Sequence, residues 1–200
     1  MIQIDEKRLK KQIDFIVEVD KLKSIYRQTT LIDKSRKEND AEHSWHLSIM
    51  ALLLSEYADN KDIDLLKVIK MVIVHDLVEI DAGDTFAYDV EGYKDKEERE
   101  NRAANRIFGL LPKDQFNEIY NLWQEFEIGE TNEAKFAGAL DRIQPMLHNY
   151  YTNGGTWKEH NVKSDQVLKR CEGIFKGSKT LGEFAQDIID ESIKRKYIQK

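Results

Sequence analysis

The sequence predicts an all-α protein: a single-domain bundle of seven or eight helices over residues 1–200. Two observations carry this expectation. Apolar residues recur at three- and four-residue spacing through nearly the whole chain, the pattern of helices with one buried face. Only ten Gly and two Pro interrupt 200 residues, too few for the frequent tight turns that a sheet protein needs.

The first helix is expected over 6–26, with Leu9, Ile13, Ile16, Val17, Leu22 and Ile25 as its apolar stripe. A polar link, QTTLIDKSRKEND, leads to a second helix over 40–58, whose first amides can be capped by the side-chain oxygen of Asn39 or Asp40. The third helix starts at a cap, Asp62 or Asp64, and runs through LLKVIKMVIVHDLVEI to residue 80, with Gly83 ending the order. Residues 81–95 read as a loop. The charge-dense DKEERENRAANRIFGLL, 95–111, reads as a helix with a solvated face that stops before Pro112. An amphipathic helix through Tyr120, Trp123 and Phe126 follows, then a longer one over 132–151. The TNGGT turn, 152–156, precedes two closing helices, 163–175 and 180–198, that pack on the rest.

Composition narrows the function. A chain with 40% hydrophobic and 34% charged residues suits a solvated globule. A net charge of -6 disfavours binding to a nucleic-acid polymer, which needs surplus Lys and Arg, but leaves a small phosphorylated ligand open. MIQIDEKRLKKQ has no apolar segment after its charges, and no apolar run approaches a membrane span, so a cytoplasmic protein is expected. The lone Cys171 excludes an intramolecular disulfide and a cysteine-cluster metal site. Any metal must therefore use His and carboxylates.

The stretch VIVHDLVEIDAGD, 72–84, places His75, Asp76 and Glu79 in what should be a core helix. Burying them is costly unless partners or a cation compensate. Imidazole and carboxylate both suit a divalent metal, and other helices would have to supply the remaining ligands, with His43 a candidate. In KFAGALDRIQPML, Asp141 interrupts another apolar pattern. Pro145, four residues on, removes the donor that the Asp141 carbonyl would use in a regular helix. Pairing of Asp141 with Arg142 or a neighbouring helix is the competing explanation. His46 reads as packing or support for the site, Trp45 as core packing, His148 and His160 as surface or supporting residues, and Asp81 as solvent-facing or capping.

The order H, HD, D resembles the HD-domain superfamily of metal-dependent phosphohydrolases. RKENDAEHS (36–44), HDLVEIDAGD (75–84) and KFAGALDR (135–142) are similar to motifs of the small bacterial 5'-deoxynucleotidases and related HD hydrolases, spanning 27–157. The resemblance implies an all-helical fold in which His43, His75, Asp76 and Asp141 ligate one divalent cation, drawn from Mn, Co, Fe, Ni, Zn or Mg. It implies that Glu79 and Asp84 handle water and protons, and that Arg27, with Arg36 as the alternative, binds phosphate. The implied reaction is hydrolysis of a (deoxy)nucleoside 5'-monophosphate by a homodimer. Rival readings are hydrolysis of another small phosphorylated metabolite or a nucleotide triphosphate, a di-iron HD-type oxygenase, and a non-catalytic nucleotide-sensing module. No histidine occurs from 77 to 140, which argues against a second metal.

Overall fold

A computed structural model describes residues 6–199; the first five residues of MIQIDEKRLKKQ, and Lys200, lie outside the described residues. Its helices are α1 (Glu6–Val19), α2 (Asp40–Leu54), α3 (Leu65–Val74), α4 (Glu79–Ala82), α5 (Lys96–Phe108), α6 (Lys113–Ile128), α7 (Asn132–Tyr151), α8 (Gly155–Glu159), α9 (Ser164–Phe175) and α10 (Lys179–Lys194). The predicted all-α class holds. None of the described helices is long and apolar enough to cross a membrane.

The expected caps start the helices that carry the site. Asn39 Oδ1 accepts from the Glu42 amide while the Glu42 carboxylate accepts from the Asn39 amide, a reciprocal box at the head of α2. Asp64 accepts from the Lys67 amide at the head of α3. Gly83, at φ 76, closes α4 in a conformation that disfavours a side chain.

At the centre lies α7, packed against α2, α3, α6, α9 and α10. Its Phe136, Leu140 and Ile143 meet Leu47 and Ala51 of α2 and Val68, Met71 and Val72 of α3 in one cluster that reaches from Leu22 to Ile198. Truncating a residue as buried as Phe136 should cost about 3–5 kcal/mol, so the frame that holds the polar centre is stiff.

The third helix, expected to run to residue 80, ends at Val74, a short helix, Gly155–Glu159, follows the TNG turn, and three further features depart from expectation. The polar link contains a hairpin, β1 (Tyr26–Thr30) and β2 (Lys37–Asn39), paired antiparallel with Tyr26 opposite Asn39 and Thr30 opposite Lys37. Its β-forming residues are Tyr26, Thr29 and Thr30, too few and too polar to show a clear alternation. The first helix stops at Val19, and its inward edge is carried by the half-buried Gln12, Phe15 and Val19. Arg8 and Gln12 pair with Asp114 and Gln115 of α6, leaving Leu9, Ile13, Ile16 and Val17 exposed. Trp45, expected in the core, is 65% exposed, because α2 turns His43 and Leu47 inward instead.

Cys171 is buried, and burial pushes its thiol up to about 11. The reactive thiolate is therefore scarce at pH 8 in the folded state and normal in the unfolded one. The native protein should react with dithiobis(nitrobenzoate) far more slowly than the guanidinium-unfolded chain; equal rates would contradict the placement.

Candidate metal centre

α2, α3 and α7 deliver one polar centre into the apolar interior. His43 stands in the first turn of α2 and Asp141 midway along α7, while the chain tightens after α3 into a 3-10 turn over His75–Val78. The tighter turn spreads successive side chains to about 120° instead of 100°. His43 Nε2 lies 3.1 Å from Asp141 Oδ1 and 3.9 Å from Asp76 Oδ2. His75 Nε2 lies 3.0 Å from Asp76 Oδ1 and 3.8 Å from Asp141 Oδ1. Ligand atoms about 2.1 Å from one ion stand about 3.0–3.4 Å apart; His43, His75 and Asp141 present atoms close enough to share one ion, and Asp76 flanks them, Oδ1 towards His75 and Oδ2 towards His43.

The hydrogen bonds decide what these atoms are. His75 Nδ1 is 3.0 Å from the Val72 carbonyl, which can only accept, so Nδ1 carries the proton and Nε2 presents a lone pair. Gln144 Nε2 donates to Glu38 Oε1 at 2.7 Å, which turns Gln144 Oε1 towards His43 Nδ1 at 3.1 Å. His43 Nδ1 is then also the protonated nitrogen. With both rings neutral, two imidazole lone pairs converge on two carboxylates; without an ion, His75 carries a second proton towards Asp76 and Asp141, in the place a cation would take, and its Nε2 has no aligned hydrogen bond. A divalent cation is the species that such a set fits.

Electrostatics agree. Burial lowers the His43 pKa to about 4, with Arg27 assisting, so this ring is neutral and ready to ligate. Burial alone would lower His75 too, but Asp76 and Asp141 lift it to about 9, the mark of a position where the carboxylates demand positive charge. Burial would raise Asp141, yet His43 and His75 hold it well below the carboxylate range.

Beside the ligands lies a second carboxylate group threaded by Arg27 of β1. Arg27 Nη1 donates to Asp76 Oδ2 at 2.9 Å and Asp40 Oδ1 at 3.2 Å, with Asp84 Oδ1 at 3.9 Å. Burial would strip its charge, and Asp76, Asp84, Glu79 and Asp40 hold it. Burial, then Asp76, raises Glu79 well above the carboxylate range, and burial raises Asp84 as well. Unpartnered buried atoms gather here: Arg27 Nε, Asp40 Oδ2 and Glu79 Oε2. A cavity of about 320 Å³ opens onto Arg27, His75, Asp76, Glu79, Asp84 and Asp141.

The structure therefore brings together seven of the eight expected site residues. Arg36 lies apart, exposed and paired through both Nη atoms with Glu42. Asp81 is exposed and salt-bridged to Arg106. His160 is exposed and rests on the Phe86 ring, whereas His148 is buried. His148 Nδ1 donates to the Thr30 carbonyl, and Gln144 Nε2 stands 3.1 Å from its Nε2 and 3.2 Å from His46 Nδ1. Glu38, His46 and His148 thus surround the Gln144 amide as a hydrogen-bonded support for His43.

Sequence reading missed Glu38, Asp40 and Gln144. For two of them a signal existed: Asp40 is three residues before His43, and Asp141, Gln144 and His148 share one helix face at i, i+3 and i+7.

Fold and site define a helical protein with a candidate His-carboxylate metal centre. The sequence profile of the HD domain matches residues 19–181, and the chain belongs to that family. The human 5'-deoxynucleotidase HDDC2 is 33% identical over 112 residues, which cover 56% of this chain and 53% of its own. The Dictyostelium discoideum 5'-deoxynucleotidase HDDC2 is 31% identical over 143 residues, 69% of this chain and 75% of its own. The match to the human and mouse relatives spans about half their length. A crystal structure described as a predicted metal-dependent phosphohydrolase from Magnetospirillum magnetotacticum MS-1 superposes with a TM-score of 0.94, at 54% identity over 100% of both chains.

Gln144→Leu removes the acceptor that fixes the His43 tautomer and should weaken divalent-metal binding roughly 10–100-fold, read by competition with a chromophoric chelator. Unchanged affinity in the folded variant would show that the amide does not set the ligand.

Proposed function

We propose that this protein is a metal-dependent phosphohydrolase that cleaves a phosphomonoester, a (deoxy)nucleoside 5'-monophosphate, to nucleoside and phosphate. The observation that carries this reading is the convergence of two imidazole Nε2 atoms and two carboxylates at the wall of an open cavity, beside Arg27 and Glu79. The names of the HDDC2 relatives support the substrate class.

His43, His75, Asp76 and Asp141 would hold one divalent ion. When bound, it supplies Lewis acidity towards a phosphate oxygen and lowers the pKa of water. Arg27, anchored through Nη1 by Asp40 and Asp76, lines the cavity and takes the phosphate, in preference to the surface-paired Arg36. Glu79, at the cavity wall with its pKa raised by burial and Asp76, orients and deprotonates the attacking water. Asp84, 3.9 Å from Arg27 Nη1 on the cavity wall, protonates the leaving sugar oxygen.

The chain is read as one domain acting in the cytoplasm as a homodimer. Exposed apolar residues support the dimer: Leu9, Ile13 and Ile16 recur at i, i+4 and i+7 on α1, and Trp45, Ile49 and Leu52 do so on α2. Light scattering should give twice the 23.4 kDa chain mass; a monomer at high concentration would remove the dimer from the account.

A phosphate-release screen over ribo- and deoxynucleoside mono-, di- and triphosphates, run with several metals, tests the activity. Monophosphates should be cleaved fastest. Asp76→Ala should abolish release, and Glu79→Gln should lower kcat by about 100-fold or more with the metal retained. Undiminished release from Asp76→Ala would sink the mechanism.

A further inference from the structure

The cavity has an electrostatic problem that the residues considered so far leave unsolved. With Asp84 holding the proton it donates, Asp40, Asp76 and Asp141 still set three negative charges against the three positive charges of Arg27 and a divalent ion. Glu79 adds another carboxyl group to the same cluster. A phosphate dianion entering there meets no net attraction unless further cations stand on the wall, since charges at this range act strongly in a site partly closed to water.

Lys96, Lys135 and Lys176 line the cavity too, the first two paired with Glu100 and Glu130, and two arginines stand beside Asp141. Arg142, next to Asp141 on α7, lines the cavity, and so does Arg170 of α9, whose Nη2 lies 4.0 Å from Asp141 Oδ2. Asp141 is thus shared, with Oδ1 towards the imidazoles and Oδ2 towards Arg170. Among the described residues, Arg142 has no carboxylate within salt-bridge distance; its guanidinium donates only from Nη1 to the Gly138 carbonyl at 2.6 Å. Glycines make its place. A Cβ on Gly173 of α9 would come within 2.4 Å of Arg142 Nε, and one on Gly138 within 2.7 Å of its Nη1. The guanidinium therefore lies in a slot between α7 and α9, fixed by packing while most of its donors are left for a ligand.

We infer that Arg142 and Arg170 form an anion clamp that binds the phosphate of the substrate in the cavity they share with Arg27. This rests on reading the site as a phosphohydrolase. The forked donors of arginine suit the terminal oxygens of a phosphomonoester. Pairing one cation with Asp141 and leaving the other unpaired gives a wall that is positive before substrate arrives.

Inorganic phosphate is the probe. Its dissociation constant is measured by calorimetry on the metal-loaded wild type and on Arg142→Gln, Arg170→Gln and Gly173→Ala, with metal content and the Co(II) absorption spectrum recorded for each. The clamp predicts phosphate binding weakened roughly 10–100-fold in each variant, with metal content and spectrum unchanged. For any nucleotide that is cleaved, KM should rise more than kcat falls, and Arg142→Lys should recover part of the loss. Phosphate affinity within twofold of wild type in both arginine variants would overturn the clamp. So would loss of the metal together with phosphate, which would make the arginines supports for Asp141. A wild type that binds phosphate through these arginines but releases none from any nucleotide would leave the clamp standing and refute the hydrolase reading instead.

Discussion

Everything at this centre depends on where two imidazole protons are kept. The Val72 carbonyl holds one on His75 Nδ1, and Gln144 Oε1 holds the other on His43 Nδ1. Both Nε2 atoms then face carboxylates at 3.0–3.1 Å, a meeting that a dry interior tolerates only with positive charge at that point, a bound cation or the proton that the carboxylates hold on His75. The conflict is confined to one point, and its neighbours are arranged around it. Arg27 pairs with Asp76 and Asp40, and the amide of Gln144 is clasped by Glu38 and His148 so that it cannot turn over without breaking both contacts.

The scaffold explains how such a centre is tolerated. α7 carries Asp141 and Gln144 on a buried face between α2, α3 and α9, and Phe136, Leu140 and Ile143 lock that face into the core. The hairpin has a matching role: β1 brings Arg27 and β2 brings Glu38 to the head of α2, where Asp40 and His43 begin. The 3-10 turn after α3 lets His75 and Asp76, adjacent in sequence, approach one point from different directions.

Most of the helical frame was legible because the apolar period and the Asn39, Asp64 and Gly83 signals are local. The hairpin was not, since its strands are short, polar and stabilised by the residues they deliver. The outward face of α1 was misread for a different reason: Leu9, Ile13, Ile16 and Val17 form a stripe as regular as any core face, and periodicity cannot say what covers it. At the site, the ligand candidates and Glu79 stood out as charges in apolar runs. Gln144, Glu38 and Arg142 did not, because their importance lies in partners 101, 106 and 31 residues away in sequence, namely His43, Gln144 and Gly173.

Anomalous diffraction from crystals grown with Mn(II) tests the central claim most directly. One strong peak within bonding distance of His43 Nε2, His75 Nε2, Asp76 and Asp141 is the expected result. A peak among Asp40, Asp76 and Glu79, or among Glu38, His46 and His148, with none between the two imidazoles, would contradict it.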